Sequence, residues 1–158
     1  MEQYRILNTT DLTPEFFNQY KTLIKENFRY IFTSELVNNY IETFNLSKLS
    51  QIIQNQGLLA IYEENNYVNG LILCTPQEGG VGTIIWLVVN NNCRHKGIGK
   101  NLFTMAEDHY KAIKCHKIKL TAPSEEVVNF YKKIGMQVEG FHPNHWYNKD
   151  FWSLGIVI

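Results

Sequence analysis

Val88-Val89-Asn90-Asn91-Asn92-Cys93-Arg94-His95-Lys96-Gly97-Ile98-Gly99-Lys100 is the stretch that decides the architecture of this chain. It continues Thr83 to Val89, an almost wholly apolar run that reads as a central strand covered on both faces. It leads into a helix carrying Ile98, Leu102, Phe103, Ala106, Tyr110 and Ile113 at helical spacing. The first N–H groups of a helix lack partners, and the positive end of its dipole lies behind them. Glycine lets that backbone approach an anion without a Cβ in the way. The expected ligand is a phosphate. Arg94, Lys96 and Lys100 add positive charge around the loop.

Two nucleotide patterns fail at this loop. A Walker loop needs glycine at 94 and Ser or Thr at 101, where the chain has Arg94 and Asn101. The dinucleotide fingerprint needs a third glycine at 102, which is Leu102.

Outward from the loop, periodicity supplies the other elements. Tyr4 to Asn8 reads as a short strand. Thr13-Pro14 opens a helix with Phe16, Phe17, Tyr20, Leu23, Ile24 and Phe28 on one face. Thr33 or Ser34 opens a second helix, and a short helical piece follows Ser47. Leu58 to Glu63 and Tyr67 to Cys74 are strands joined by a turn at Glu64-Asn65-Asn66. Downstream come a strand over Ile118 to Ala122 and a helix opened by Pro123-Ser124, with Val127, Val128, Tyr131 and Ile134 inward and Gly135 as its stop. Gln137 to Phe141 and Phe151 to Ile158 close the chain as strands. The fold class is α/β of the α+β type, a mixed central sheet of about six to seven strands with helices on both faces. No linker divides residues 1–158, so one domain is expected.

Composition narrows the function. Fifteen basic and fifteen acidic residues give no net charge, which disfavours a nucleic-acid partner. No apolar run approaches the roughly 18 residues of a membrane span, and Met1 to Asp11 has no signal-peptide core. Cys74, Cys93 and Cys115 are odd in number and lack paired spacing, so no disulfide framework and a cytoplasmic setting are expected. Cys115-His116 and His142-x-x-His145 have no second pair to complete a metal site, so no metal is expected.

The loop fits Arg-x-x-Gly-x-Gly, and a later helix bears Phe130-Tyr131-Lys132-Lys133-Ile134-Gly135-Met136. With two N-terminal helices, a hairpin and these motifs in this order, the chain resembles the GCN5-related N-acetyltransferases over nearly its whole length. The resemblance implies acetyl-CoA as co-substrate and a primary amine, in a small molecule or a peptide, as acceptor. It implies that the backbone of Leu87, Val88 and Val89 pairs with the pantetheine arm. It implies that His95, Lys96, Gly97, Ile98, Gly99 and Lys100 hold the pyrophosphate, with Arg94 beside them. Val89 N–H would face the thioester oxygen, and Tyr131 would protonate the departing thiolate. Many relatives carry asparagine seven residues before that tyrosine. Here Ser124 stands there, with Asn129 as a nearby substitute.

The resemblance also places the acceptor pocket between Phe28-Arg29-Tyr30-Ile31-Phe32 and Phe141-His142-Pro143-Asn144-His145-Trp146-Tyr147. Phe28, Arg29, Tyr30, Trp86, His142 and Trp146 are its candidate lining, although Trp86 also reads as core and Phe28 to Phe32 equally as packing. An amine must lose a proton before it attacks, so a general base is required. The strand Thr83 to Val89 holds no carboxylate, which leaves Glu63, Glu78, His142 and His145 as candidates. Tyr131, with Val127 and Ile134, also describes an ordinary core stripe. Transfer of a longer acyl group, a non-catalytic acyl-CoA-binding module and a homodimer all stay open.

Overall fold

The computed structural model describes residues Met1–Ile158. The strands are β1 (Glu2–Ile6), β2 (Leu58–Glu64), β3 (Tyr67–Cys74), β4 (Val81–Val89), β5 (Lys117–Ala122), β6 (Gln137–His142) and β7 (Phe151–Val157). The helices are α1 (Pro14–Phe28), α2 (Ser34–Thr43), α3 (Leu46–Gln54), α4 (Ile98–Ala112) and α5 (Glu125–Lys133). Local chemistry starts each of the first three helices. Thr13 accepts from Phe16 N–H, Thr33 from Leu36 N–H and Asn45 from Lys48 N–H. The third helix therefore begins at Leu46 behind Asn45, ahead of the expected Ser47 start.

One seven-stranded sheet runs in the order β1-β2-β3-β4-β5-β7-β6, mixed because β4 and β5 alone are parallel. Asn65 and Asn66 both take positive φ (+54° and +67°), which makes the β2–β3 connection a two-residue hairpin of the primed type. The sheet separates two apolar layers. Tyr20, Ile24, Val37, Ile41, Leu49 and Ile52 from α1 to α3 pack with Trp86 and Val88 on one face. Ile98, Leu102, Phe103, Ala106 and Tyr110 of α4 pack with Val128 and Tyr131 of α5 on the other.

β4 sits in the middle, buried on both faces as its apolar run requires, but its alternation breaks once. Leu73 pairs with Trp86 while Cys74 pairs with Ile84, so Ile85 is an extra residue. This bulge puts Ile84 on the α4 face and Trp86 on the α1 face, although two residues apart in a regular strand would share a face.

Candidate functional site

The bulge falls just after the last rung between β4 and β5. Their parallel pairing covers Val81, Gly82 and Thr83 opposite Lys117, Ile118 and Lys119 and then stops. β5 keeps its partner β7 to Ala122, and β4 keeps β3 to Val89. The two strands thus diverge, leaving a gap that opens toward their C-terminal ends. The Tyr110 hydroxyl binds the Thr83 carbonyl at 3.0 Å and the Thr75 carbonyl at 2.7 Å, which holds the point of divergence.

Which backbone groups line the gap follows from ladder parity. Hydrogen-bonded and non-hydrogen-bonded pairs alternate in an antiparallel ladder. Asn90 N–H donates to the Asn69 carbonyl at 2.8 Å, so the Val88–Leu71 and Trp86–Leu73 pairs are the bonded ones. Leu87 and Val89 therefore turn their N–H and C=O groups into the gap. Val88 does not. Its backbone serves β3 and its side chain the α1-side core, which corrects the expectation that it contributes to the strand edge.

The loop after β4 presents six consecutive N–H groups, His95 to Lys100, that donate to nothing in the protein. His95 (φ +62°) and Gly97 (φ +80°) are left-handed, a conformation that turns successive amides toward one concavity. Gly97 is the N-cap of α4 and makes no side-chain cap, so the first turn is left open. A Cβ on Gly97 would meet nothing within 4 Å, so its glycine serves conformation and anion approach rather than packing. Lys96 and Lys100 are exposed. Arg94 differs from the mobile charge its sequence position suggests. Its Nε donates to the Val89 carbonyl at 3.3 Å and its Nη2 to Asn27 Oδ1 at 2.9 Å.

Tyr131 of α5 belongs to the apolar cluster against which Leu87 and Val89 also pack. Its ring is buried at 6% exposure, with the Phe130 ring 5.1 Å away. Its hydroxyl has no partner within the protein, yet no buried side-chain oxygen is left unsatisfied, so that hydroxyl keeps contact with solvent. Burial pushes its pKa well above the ordinary 10.0, and the nearby Cys74 thiol pushes the same way. It is a phenol that holds its proton. Ser124 caps its own helix by accepting from Val127 N–H at 3.3 Å, and Asn129 is exposed nearby on α5.

Across β4, the α1–α2 turn and the β6–β7 loop meet through aromatic rings. Phe28 lies 5.1 Å from Trp86 and 5.9 Å from Phe32, and Phe32 lies 5.9 Å from Tyr147. Tyr40 joins Trp86 at 5.7 Å and Tyr147 at 5.2 Å. Burial and the adjoining Tyr147 phenol raise the Tyr40 pKa. Trp86 is core, at 5% exposure with its indole N–H on the Tyr20 hydroxyl at 3.1 Å. Arg29 and Tyr30 are exposed, the guanidinium stacked on the Tyr30 ring. Trp146 is 48% exposed. His142 binds Ser153 Oγ at 3.1 Å and lies 5.1 Å from His145, ring to ring.

The carboxylate candidates for a base fall elsewhere. Glu63 is paired with Arg5 and Gln3 between β1 and β2, and Glu78 lies in the turn before β4 at the paired end of β4 and β5. The two histidines lie with the aromatic rings, His145 against Phe151, which stacks on Phe32. A groove of about 760 Å³ lies between α1 and the β2–β3 turn, bounded by Gln19, Glu26, Glu64, Asn69 and Asn90. No group of three or more His, Cys, Asp or Glu side chains is placed to hold a metal ion. No helix is long and apolar enough to cross a membrane.

Sequence reasoning missed Asn27 and Tyr40. Both are defined by partners distant in the chain, and neither belongs to a motif that would have flagged it.

A family model described as the Acetyltransferase (GNAT) family matches residues 17–136. No curated protein matches the sequence. Among solved structures, the PaiA N-acetyltransferase from Thermoplasma acidophilum in complex with coenzyme A superposes with a TM-score of 0.80 at 19% identity, covering 100% of this chain and 99% of that one. An aminoglycoside 6'-N-acetyltransferase complexed with coenzyme A gives 0.75 at 16% identity, over 98% and 96% of the two chains. A chain of the NatC complex bound to Gag peptide and coenzyme A gives 0.73 at 21% identity, over 99% and 98%. At these identities the likeness is one of fold.

Proposed function

Because this chain belongs to the Acetyltransferase (GNAT) family, we propose that it transfers an acetyl group from acetyl-CoA to a primary amine by direct attack on the thioester. The observation that carries this reading is the divergence of β4 from β5, with unpaired N–H groups of Leu87 and Val89 on one edge and the six free amides of His95 to Lys100 beside it. An extended pantetheine arm can pair with the strand edge as an added strand would. A pyrophosphate can take the loop amides and the charge of Lys96 and Lys100.

The chemistry follows from these positions. A thioester is already activated, so the protein has to orient an amine and stabilise an oxyanion. The neutral amine forms a C–N bond to the carbonyl carbon, and Val89 N–H meets the oxygen as it becomes negative. The nitrogen, now cationic, releases its extra proton to water as the intermediate collapses by breaking the C–S bond; Tyr131 gives its proton to the departing sulfur and takes another from solvent. Its raised pKa keeps that proton in place until the thiolate forms.

The acceptor in this proposal is a small amine or peptide terminus with apolar or aromatic character. The segments Phe28 to Phe32 and Phe141 to Tyr147 contain no carboxylate to pair the extra charges of a polycation. Exposed Arg29 suits a carboxylate on the acceptor. Solved relatives act on chemically unlike acceptors, so the fold does not choose among them. The test is free-thiol release from acetyl-CoA with a panel of aromatic amino compounds, peptides, polyamines and aminoglycosides. Release with the first two classes supports the proposal. Binding of acetyl-CoA without release for any amine supports a non-catalytic module, and a tenfold kcat/KM preference for spermidine overturns the acceptor class.

A further inference from the structure

Arg94 connects two regions that the sheet otherwise keeps apart. At one end its Nε holds the carbonyl of Val89, the residue whose own N–H opens into the gap. At the other, its Nη2 holds Oδ1 of Asn27 on the last turn of α1. The Asn27 amide is itself oriented, because its Nδ2 donates to the Leu23 carbonyl at 2.9 Å and so leaves Oδ1 to face Arg94. A planar guanidinium bonded through two of its nitrogens fixes both distance and angle between the groups it joins, which a lysine ammonium cannot do. Asn27 directly precedes Phe28, whose ring lies on Trp86 and Phe32. Arg94 directly precedes the six free amides.

We infer that Arg94 is a positioning residue, a strut through which an occupied cofactor loop orders the acceptor-side wall formed by residues 28–32. This rests on the reading of the loop as the coenzyme A site. An anion held by the amides of His95 to Lys100 fixes the backbone that carries Arg94. The fork passes that constraint to the end of α1. There the backbone hydrogen bonds of the turn are local, from Arg29 N–H to Lys25 and from Ile31 and Phe32 N–H to Phe28, while the Phe28 and Phe32 rings pack on Trp86 and Tyr147. A ligand that binds better when the strut is ordered raises the population of the ordered wall, and by reciprocity an acceptor resting on that wall binds better once coenzyme A is present.

Amide hydrogen exchange on the full chain, with and without coenzyme A, tests the strut. In the wild-type protein coenzyme A should slow exchange at residues 29–32 by at least about threefold. Asn27→Ala, which favours the helix and lies outside the loop, should bind coenzyme A with a Kd within about twofold of wild type and lose that slowing. Asn27→Asp keeps an acceptor for Arg94 and should restore it. The inference is overturned by full slowing in Asn27→Ala, by no recovery in Asn27→Asp, or by a wild type that binds coenzyme A with no change at 29–32. In those cases the cofactor reading stands. A wild type that fails to bind coenzyme A removes that reading, and the strut with it.

Discussion

The two sides of β4 are built on opposite principles. Toward α4 and α5 the candidate site offers backbone N–H groups without partners, at Leu87, Val89 and His95 to Lys100. Toward α1 and α2 it offers side chains, the rings of Phe28, Tyr40 and Tyr147 packed around the core Trp86. A backbone site tolerates exchange of its side chains and fails when a dihedral is denied. A side-chain site behaves the other way round. Within one family the first suits a cofactor common to all members, and the second suits an acceptor that varies.

The largest effect should come from denying a dihedral. Gly97 stands at φ +80°, where a β-branched residue is strongly disfavoured. Gly97→Val should reduce coenzyme A affinity by about 100-fold or more while the fold survives. Calorimetry on the folded variant checks this, and near wild-type affinity would break the backbone half of the comparison. Next in size is Tyr131→Phe, expected to lower kcat by roughly 10²–10⁴-fold with little change in cofactor affinity. An unchanged kcat, where chemistry limits the rate, would return Tyr131 to packing.

The pH profile separates the same two roles. A general acid works only while protonated, so its ionisation would make the rate fall as pH rises through its pKa. Burial moves Tyr131 above its ordinary 10.0. The log of kcat/KM should therefore rise as the acceptor amine deprotonates, toward the ~7.7–8.0 of an α-amine or the ~10.4 of a lysine, and show no falling limb from Tyr131 below about pH 10. A falling limb near pH 8 that disappears in Tyr131→Phe would contradict the direction of the shift. The smallest effect should come from Gly99→Ala. Its added Cβ would sit 3.2 Å from the tip of the Phe130 ring, which is partly exposed and able to yield. Helix propensity offsets the contact, by up to about 1 kcal/mol, and coenzyme A affinity should change by less than about threefold. A loss matching that of Gly97→Val would mean that steric access, not dihedral freedom, governs the loop.

Legibility in the sequence followed the same division. The glycine loop, the Asn65-Asn66 turn and the α5 stripe ending at Gly135 are local signals, and each landed where its chemistry directs. The bulge at Ile85 had no local signal, because Thr83 to Val89 is apolar at nearly every position and alternation cannot be read from it. Face assignment of Trp86 depended on that bulge and on Tyr20, 66 residues away. The anchoring of Arg94 was hidden because its partner Asn27 is 67 residues distant and belongs to no motif. Ser124 was read against a family asparagine, whereas its hydroxyl satisfies the first turn of its own helix.

The central claim is that unpaired backbone along the diverging strand and the loop holds the cofactor. Backbone amide NMR during a coenzyme A titration of the labelled protein tests it residue by residue. The account predicts the largest shifts at Leu87, Val89 and His95 to Lys100, with Val88, turned toward β3, moving far less than its two neighbours. Shifts centred instead on Gln19, Glu26, Glu64 and Asn69, in the groove between α1 and the β2–β3 turn, would contradict it.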